Sequence, residues 1–327
     1  MGLAIVVLAA GLGTRYRAGA AGAPGKEHDG RSHAHAPIGT GDVKQLAPLG
    51  PAGEALLDYT LYDAEKAGFS DAVVVVAREI VDSMTMHLRE FAPPIRVRLV
   101  VQNPHAHREA TPLGTAHATL VGATGLTTPF AVANADDLYG REALAAVAAH
   151  LGASAAGARA RSGGAVVGYA AHATLSATGG VARAVCRVDD HGRLLEVVEH
   201  TGVRRDGDAL VSDTATLDDS TLVSMNVWGF DASFVDVVRP LVDRFVAGLD
   251  DAIDGAGATV KARELRLPDV VGELVARGDL DVTVLPTTST WLGVTHSHDA
   301  PNVRERLAEL AAAGVYPSRT QSHRSPR

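Results

Sequence analysis

The sequence has almost no cysteine, few aromatic residues and no long apolar run. Cys186 is the only cysteine in 327 residues, so an internal disulfide is excluded and a reducing cytoplasm is the expected setting. No apolar stretch reaches the roughly 20 residues that a membrane-spanning helix needs. The net charge of -8 is spread along the chain instead of forming a basic patch or an acidic tail. We therefore expect a soluble protein whose partners include neither nucleic acid nor a membrane.

Apolar runs typical of strands alternate with helical patterns in the first half of the chain. The predicted strands are 3–9, 72–77, 96–101 and 129–135, and the predicted helices are 55–67, 79–91, 114–123 and 141–151. The first apolar run lacks the basic residues of a signal peptide, so we interpret it as a buried strand. The alternation predicts the α/β class, with three layers, α/β/α, around a mainly parallel central sheet.

The second half has closely spaced strand patterns joined by turns. The strands predicted there are 165–170, 181–188, 194–198, 221–230 and 281–286, and the helices are 268–277 and 301–313. This pattern predicts a mixed or antiparallel extension of the sheet. We expect a single domain over residues 1–317, with halves 1–150 and 151–317, a flexible insertion at 17–42 and a disordered tail at 318–327.

A glycine-rich loop directly follows the first strand, with the sequence LAAGLGTR from Leu8 to Arg15. Gly11 and Gly13 leave backbone N–H groups exposed at the carboxyl end of the strand, where an anion can approach closely. Arg15 adds a planar group of permanent charge that suits phosphate oxygens. The loop therefore favours a nucleoside triphosphate site, and a tight turn without a ligand is the alternative.

Two other glycine-rich signatures do not fit. The dinucleotide-binding pattern needs a third glycine where Tyr16 stands. The P-loop pattern that would end at Gly25 and Lys26 has Ala20 and Glu27 at required positions. Neither a dinucleotide site nor a P-loop is predicted.

Charged residues follow in two further segments. Lys44, in KQLAPL, is one of only four lysines, which indicates a point charge beside the phosphates, with a surface lysine as the alternative. Asp136 and Asp137 follow the apolar strand that ends near the same sheet edge. Asp136 is the predicted Mg²⁺ ligand, because Mg²⁺ takes carboxylates together with substrate phosphates. Asp137 should point the other way, to another partner or to cap the next helix.

A polar group also ends the third strand. Gln102 stands there, and the segment with Gly114 and Thr115 opens the next helix. A side-chain amide together with exposed backbone groups could read the edge of a base. His117 lies inside that helix, where a packed histidine is expected rather than a catalytic base.

The segments LAAGLGTR, KQLAPLG, TPLGTAHA and VANADD, in this order and spacing, resemble the sugar-1-phosphate nucleotidyltransferases. The second half adds SMNVWGF, LPDVVGELV and VLPTTSTWLGVTHSHD, which are similar to a bacterial subgroup, so the resemblance covers most of residues 1–317. It implies a GT-A-like, Rossmann-related fold. It also implies an enzyme that joins a nucleoside triphosphate, with UTP or dTTP favoured, to a sugar 1-phosphate, with Mg²⁺ as cofactor and pyrophosphate as the second product.

The resemblance also implies roles for individual residues. Arg15, Lys44 and Asp136 would be catalytic, with Asp136 holding the metal. The nucleotide would be bound by Leu8, Ala10, Gly11, Gly13, Thr14, Gln102, Gly114 and Thr115. The sugar phosphate would be bound by Gly180, Glu199, Asn226 and Lys261. The first half of the domain would then bind the nucleotide and the second half the sugar phosphate.

Three features depart from this family. Gly293 stands two residues after Trp291, where many relatives have an aspartate as the second metal ligand, so that ligand would be a substrate oxygen, water or Asp299. His200 follows Glu199 where many relatives have lysine. The 17–42 stretch is longer than the link expected between the phosphate loop and Lys44.

The expected reaction is an in-line attack by the sugar 1-phosphate on the α-phosphorus, with no protein nucleophile. Three alternatives stay open: transfer to a phosphorylated alcohol such as choline or alditol phosphate, glycosyl transfer from a nucleotide sugar, and a non-catalytic nucleotide-binding regulatory module. The oligomeric state is open as well, a homo-oligomer included.

Overall fold

The computed structural model describes residues 2–11, 43–102, 113–154, 161–176, 179–256, 264–294 and 299–317. The predicted insertion at 17–42 and the predicted tail at 318–327 lie outside these ranges. The division into halves at residue 150 stays a prediction.

The first half alternates strands and helices as the apolar pattern predicts. Its elements are β1 (Leu3–Ala9), α1 (Leu56–Lys66), β2 (Phe69–Val76), α2 (Val81–Phe91), β3 (Arg96–Val101), α3 (Thr115–Ala123), β4 (Phe130–Asn134), β5 (Asp137–Leu138) and α4 (Arg141–Ser154). Short 3₁₀ turns at Lys44–Leu46 and Arg78–Ile80 precede α1 and α2.

The second half is richer in strands. Its elements are β6 (Ser162–Ala170), β7 (Val181–Val188), β8 (Leu194–Asp206), β9 (Ala209–Val211), β10 (Thr216–Leu217), β11 (Leu222–Phe230), α5 (Phe234–Ala256), α6 (Leu267–Arg277), β12 (Leu280–Thr287), β13 (Leu292–Gly293) and α7 (Ala300–Ala312). A 3₁₀ turn at Ala171–Thr174 follows β6.

One large sheet runs through both halves of the described chain. Strands β4, β1, β2 and β3 lie side by side in parallel, and β11 joins β4 in the antiparallel sense. Beyond β11 the sheet continues through β7, β8, β9 and β10, each antiparallel to its neighbour. The predicted fold class, a mainly parallel α/β sheet with an antiparallel extension, is confirmed.

Successive side chains of β1 enter different cores, which accounts for the three layers. Ile5 and Val7 pack in the cluster that holds α1, α2 and α4. Ala4 and Val6 pack in the cluster that holds α3, α5 and α6. Because β1 is covered on both faces, nearly all of its residues are apolar and buried.

Strand β11 shares one of its edges between two neighbours. Residues 228–230 pair with β4, and residues 222–224 pair with β7, while β6 runs along the other edge. The register shifts between Ser224 and Trp228, and Asn226 in this break has a positive φ of 68°. The end of β4 and the start of β7 therefore diverge at Asn226, and a cleft opens between them.

Helix α5, 23 residues long, has no counterpart among the helices that the sequence predicts. Its buried residues Phe234, Val238, Leu241 and Val242 have helical spacing, but Pro240 lies among them and argues against a continuous helix. Within the described ranges, no helix is both long and apolar enough to cross a membrane.

The residues after α7 are held to α1 by a buried carboxylate. Asp63 is fully buried, and its Oδ2 accepts a hydrogen bond from the Tyr316 hydroxyl at 2.7 Å. Arg141 Nε lies 3.4 Å from the other oxygen. Burial raises the pKa of Asp63, and the contacts with Tyr316 and Arg141 partly offset this rise. Tyr316 also packs edge-on against Tyr59, at 4.7 Å between ring centroids.

Replacing Tyr316 by phenylalanine should therefore lower the free energy of unfolding by about 1–3 kcal/mol, because a buried acceptor loses its donor. Urea denaturation of Tyr316→Phe measures this loss. Tyr62→Phe is the matched control, since Tyr62 also packs against Tyr316 but its hydroxyl makes no hydrogen bond to a described residue. Equal stability of the two variants would show that the Asp63 contact contributes nothing.

Candidate active site

The cleft beside Asn226 has a volume of about 470 Å³ and collects residues from both halves of the chain. Six of the predicted site residues line it: Gly11, Lys44, Thr115, Asp136, Glu199 and Asn226. Others that line it were not predicted, among them Gln45, Asn134, Asp137, Arg183, Ser224, Glu264, Arg266 and Trp291.

Lys44 and Asp136 form an ion pair at the carboxyl edge of the parallel strands. Lys44 Nζ lies 2.6 Å from Asp136 Oδ2, and the two side chains are 14% and 27% exposed. The turn that carries Lys44 is fixed by its neighbour, because buried Gln45 donates from Nε2 to the Gly11 carbonyl at 2.5 Å. The end of β1, the lysine and the carboxylate thus meet at one place, as strand-end chemistry predicts.

Asp137 faces a separate set of partners. Its Oδ2 accepts hydrogen bonds from Asn134 Nδ2 at 2.9 Å and from the Tyr139 hydroxyl at 3.1 Å. Of the two alternatives for this residue, another partner is therefore the one observed. Burial and the charge of Asp136 raise the pKa of Asp137 to about 7, against the opposing effects of Asn134, Lys44 and Tyr139.

Asn226 joins the same network from β11. Its Nδ2 donates to Asn134 Oδ1 at 2.7 Å, and its Oδ1 accepts from Trp228 Nε1 at 2.9 Å. Both ends of the amide are therefore engaged by the protein. A contact between Asn226 and a sugar hydroxyl stays a prediction, and the observed contacts make Asn226 a residue that positions Asn134 and, through it, Asp137.

Gln102 and Gly114 lie together, as predicted, at the start of α3. Gln102 is 4% exposed, and its Nε2 contacts both the Gly114 carbonyl at 3.2 Å and His117 Nδ1 at 2.9 Å. Burial lowers the pKa of His117, so the neutral ring accepts through Nδ1. The packed histidine expected at this position is thus a partner of the predicted base-reading amide.

The segment 113–116 also makes backbone contacts with residues 265–267 in the second half of the chain. Leu265 donates to the Leu113 carbonyl and accepts from the Ala116 N–H, each at 3.0 Å. The Leu267 N–H donates to Thr115 Oγ1 at 2.8 Å. Gly114, at φ +98°, has the Leu265 backbone so close that an added Cβ would lie 2.4 Å from its carbonyl oxygen. Only glycine fits both the conformation and the approach.

Only some of the residues that were predicted to bind the sugar phosphate line the cleft. Glu199 lines the cleft but is paired with Arg266, which also makes two hydrogen bonds to Asp269. Gly180 is not a lining residue, and its Cα packs against Gly202. Lys261, like Gly13, Thr14 and Arg15 of the phosphate loop, lies outside the described residues. Leu8 and Ala10 are buried in the core at the loop's base.

Gly293 has no room for a side chain. An added Cβ would lie 2.3 Å from Trp291 Cζ2 and 2.4 Å from Asp137 Oδ1. Strand β13 pairs with β5, so Gly293 stands directly opposite Asp137. The place of a second metal aspartate is filled by the Trp291 ring and by the Asp137 carboxylate. Asp299 is the N-cap residue of α7 and is not among the lining residues.

The donor set of the cleft is compatible with Mg²⁺ held mainly by substrate. Among the described residues, no three histidine, cysteine or acidic side chains converge on a common point. Asp136 is partly exposed to the cleft and has Lys44 as its partner through one oxygen. One carboxylate supplemented by phosphate oxygens is a usual arrangement for this ion.

Arg183 and Trp291 are the unpredicted residues with the clearest chemical character. The Arg183 guanidinium lies over the Trp291 ring, 5.1 Å from its centroid. Trp291 belongs to the string VLPTTSTWLGVTHSHD that carries the resemblance, but the sequence assigns it no contact. Arg183 is a charged residue in a strand-like segment, which a solvent-facing position explains equally well. Their role depends on contacts between segments about 110 residues apart.

Solved structures share this fold, three of which follow, whereas no protein-family model and no curated protein matches the sequence. The inositol-1-phosphate CTP transferase from T. maritima is 14% identical, with a TM-score of 0.54 over 94% of this chain and 96% of that chain. A protein described as a glucose-1-phosphate thymidylyltransferase from Bacillus anthracis, in complex with a sucrose, is 14% identical, with a TM-score of 0.56 over 94% and 95%. UDP-glucose pyrophosphorylase complexed with UDP-glucose is 15% identical, with a TM-score of 0.54 over 94% and 98%.

These similarities extend over almost the whole of each chain, so they show that this protein has the fold of those nucleotidyltransferases. The fold that the sequence resemblance implied is confirmed. Sequence identities of 14–15% do not indicate which nucleotide or which acceptor this protein uses.

Replacing Gly114 by alanine should lower the free energy of unfolding by about 2 kcal/mol or more, because the positive φ and the Leu265 backbone both oppose a Cβ. Chemical denaturation measures the loss. Gly152→Ala in α4 is the control, since a Cβ added at Gly152 would meet no other group within 4 Å and a helical alanine is favoured over glycine by about 0.5–1 kcal/mol. A Gly114→Ala protein as stable as this control would contradict the close approach.

Proposed function

We propose that this protein transfers a nucleotidyl group from a nucleoside triphosphate, UTP or dTTP, to a sugar 1-phosphate and releases pyrophosphate. The observation that carries the proposal is the meeting of Lys44 and Asp136 in the cleft that also holds Glu199 and Asn226. The nucleotidyltransferase fold supports it.

In the proposed reaction, a phosphate oxygen of the acceptor attacks the α-phosphorus. The bond to the oxygen that bridges to the β-phosphorus breaks, and pyrophosphate leaves with the electron pair. A phosphate monoester is already an anion near neutral pH, so the protein supplies no nucleophile. Its task is to align the two substrates and neutralise their charge, which Lys44 does from the edge of β1. Arg15, outside the described residues, is assigned the same task by the resemblance.

Asp136 is the residue that would hold Mg²⁺ in this cleft. The bound ion would supply positive charge to the reacting phosphates, as metal ions do in phosphoryl transfer. Lys44 is the present partner of Asp136, at 2.6 Å, and so it is poised to turn from the carboxylate to a phosphate oxygen. Asp137, already bonded to Asn134 and Tyr139, fixes the turn on which Asp136 stands.

The preference for a uracil or thymine base rests on the orientation of the Gln102 amide. Nε2 is directed at the Gly114 carbonyl and at neutral His117, so among the described residues Oε1 is the atom of this amide left to accept a hydrogen bond. Uracil and thymine present an N–H donor at N3, whereas cytosine presents an acceptor there. An accepting amide oxygen at this place favours UTP and dTTP over CTP.

A second candidate function is transfer to a polyol phosphate. The inositol-1-phosphate CTP transferase shares the fold at a similar level to the two sugar-linked structures. A CTP preference together with an inositol phosphate acceptor would favour this candidate, and it would show that His117 does not orient the amide as argued.

The function is tested by measuring pyrophosphate release for each pair of UTP, dTTP, CTP, ATP and GTP with a panel of sugar and polyol phosphates in the presence of Mg²⁺. One productive pair identifies reaction, base and acceptor together.

Lys44→Ala and Asp136→Asn should then lose on the order of 10²–10³-fold in kcat while staying folded. Lys66→Ala, at an exposed lysine paired with Glu65, is the control. Nucleotide binding without pyrophosphate release from any pair would contradict the proposal and leave a regulatory module.

Replacing His117 by leucine should reduce the ratio of kcat/KM for UTP to that for CTP by about tenfold, the value of one neutral hydrogen bond that holds the Gln102 amide. Steady-state kinetics with both nucleotides measures the ratio. His191→Leu, at an exposed turn between β7 and β8, is the control. An unchanged ratio in His117→Leu would remove the argument for base selection through Gln102.

A further inference from the structure

Three cations line the cleft among the described residues: Lys44, Arg183 and Arg266. Lys44 is neutralised by Asp136, and Arg266 is neutralised by Glu199 and Asp269. Arg183 differs from both because its hydrogen bonds go to uncharged groups. Its Nε donates to Thr174 Oγ1 at 3.0 Å, its NH2 group to the Thr174 carbonyl, and its NH1 group to the Ala182 carbonyl at 2.8 Å.

These hydrogen bonds hold the guanidinium in one orientation without neutralising it. A guanidinium has five N–H donors, so the three bonds leave one N–H on each terminal nitrogen without a partner among the described residues. Two such donors in one plane are the arrangement that binds two oxygens of one phosphate. The guanidinium is therefore held in one orientation, and its charge and two of its donors remain available to bind an anion.

Burial makes this charge costly. Desolvation lowers the pKa of Arg183 to about 10, and the nearby charge of Asp137 opposes this effect. The residue stays positively charged at neutral pH all the same. A half-buried cation whose hydrogen-bond partners are all neutral is destabilising, and an anion that binds beside it relieves that cost.

The position of Arg183 is at the reacting end of the cleft. Its guanidinium covers Trp291, and an added Cβ at Gly293 would meet both Trp291 Cζ2 and Asp137 Oδ1. The Trp291 side chain therefore lies close to both the Arg183 guanidinium and the Asp137 carboxylate. Arg183 stands at the start of β7, which faces the end of β4 across the break at Asn226. Lys44 approaches from the β1 side, so the two cations come from different sides.

We propose that Arg183 binds the phosphate group of the acceptor and holds its attacking oxygen toward the nucleotide side of the cleft. This inference rests on the proposed function, and it names the residue that supplies the acceptor-phosphate contact where His200 replaces a lysine. Arg266 does not serve this purpose, because Glu199 and Asp269 occupy its donors. Trp291 acts as the platform on which the guanidinium lies.

The test measures acceptor binding alone, by calorimetry without nucleotide or Mg²⁺. The probes are glucose 1-phosphate, galactose 1-phosphate, inositol 1-phosphate, inorganic phosphate and unphosphorylated glucose. Wild type should bind at least one sugar or polyol phosphate and should show no binding of unphosphorylated glucose. Arg183→Gln should weaken that binding by about 30-fold or more, as expected for the loss of a charge-assisted pair of hydrogen bonds. Arg183→Lys, which keeps the charge, should lose clearly less.

Arg187→Gln is the matched control, because Arg187 lies on the same strand, is exposed and pairs with Glu196. It should bind the acceptor as wild type does. Circular dichroism and thermal unfolding establish that each variant is folded. If folded Arg183→Gln and Arg183→Lys lost the same amount of acceptor affinity, the guanidinium would have only a structural role, and the proposal would be overturned. Unchanged binding in Arg183→Gln, or no binding of any phosphate by wild type, would overturn it too.

This experiment separates the inference from the function on which it rests. Phosphate binding that depends on Arg183, without pyrophosphate release from any substrate pair, would refute the proposed reaction and still support the binding site. Pyrophosphate release with an acceptor KM unchanged in Arg183→Gln would support the reaction and refute the role of Arg183.

Discussion

The divided edge of β11 is the constraint on which the cleft depends. A strand edge can pair with one neighbour at a time, and here β4 takes one end while β7 takes the other. Backbone groups between these two ladders lose their strand partners and must be satisfied in other ways. The Asn226 N–H is bonded to Ser224 Oγ at 3.1 Å, and the positive φ of Asn226 accommodates the change of register. The edge of β11 toward β4 and β7 is thus open beside Asn226, whereas on the other edge β6 pairs with β11 both before and after the register shift.

The opening is lined by polar groups that support one another. Trp228, Asn226, Asn134, Asp137 and Tyr139 form a continuous series of hydrogen bonds beside the Lys44–Asp136 pair. Buried networks of this kind are stable when every member is satisfied, and they hold a site in a single geometry. Asp136 lies in the turn between β4 and β5, so its position is set by the contacts that Asn134 and Asp137 make on either side of it and by Asn226 on β11.

Local patterns predicted much of the fold, and they predicted that Lys44 and Asp136 meet near the end of β1. The end of β1, Lys44 and Asp136 could be inferred because parallel strands bring their carboxyl ends to one edge, whatever the details of packing. Helix α5 was missed because Pro240 stands within its apolar pattern. The pairing of Glu199 with Arg266 could not be inferred, since it joins β8 to the residues before α6.

The same limit applies to Arg183. In the sequence it is a charged residue in a strand with partial alternation, and only the approach of Trp291, from the segment after β12, makes it a cleft residue. Whether an arginine is neutralised depends on which carboxylates the fold brings near it. The neutralisation of an arginine is therefore a property of the tertiary structure, and it cannot be inferred from the spacing of residues in the sequence.

The backbone hydrogen bonds between residues 113–116 and 265–267 have a mechanical consequence. Leu265 and Leu267 are held by the segment that contains Gly114, and Arg266 lies between them with its donors on Glu199. The segment that opens α3 and the segment before α6 are therefore joined at this point, and neither can shift without carrying the other. A ligand that orders either segment would order the other as well, so a second ligand at the joined segment would meet a smaller entropic cost of ordering.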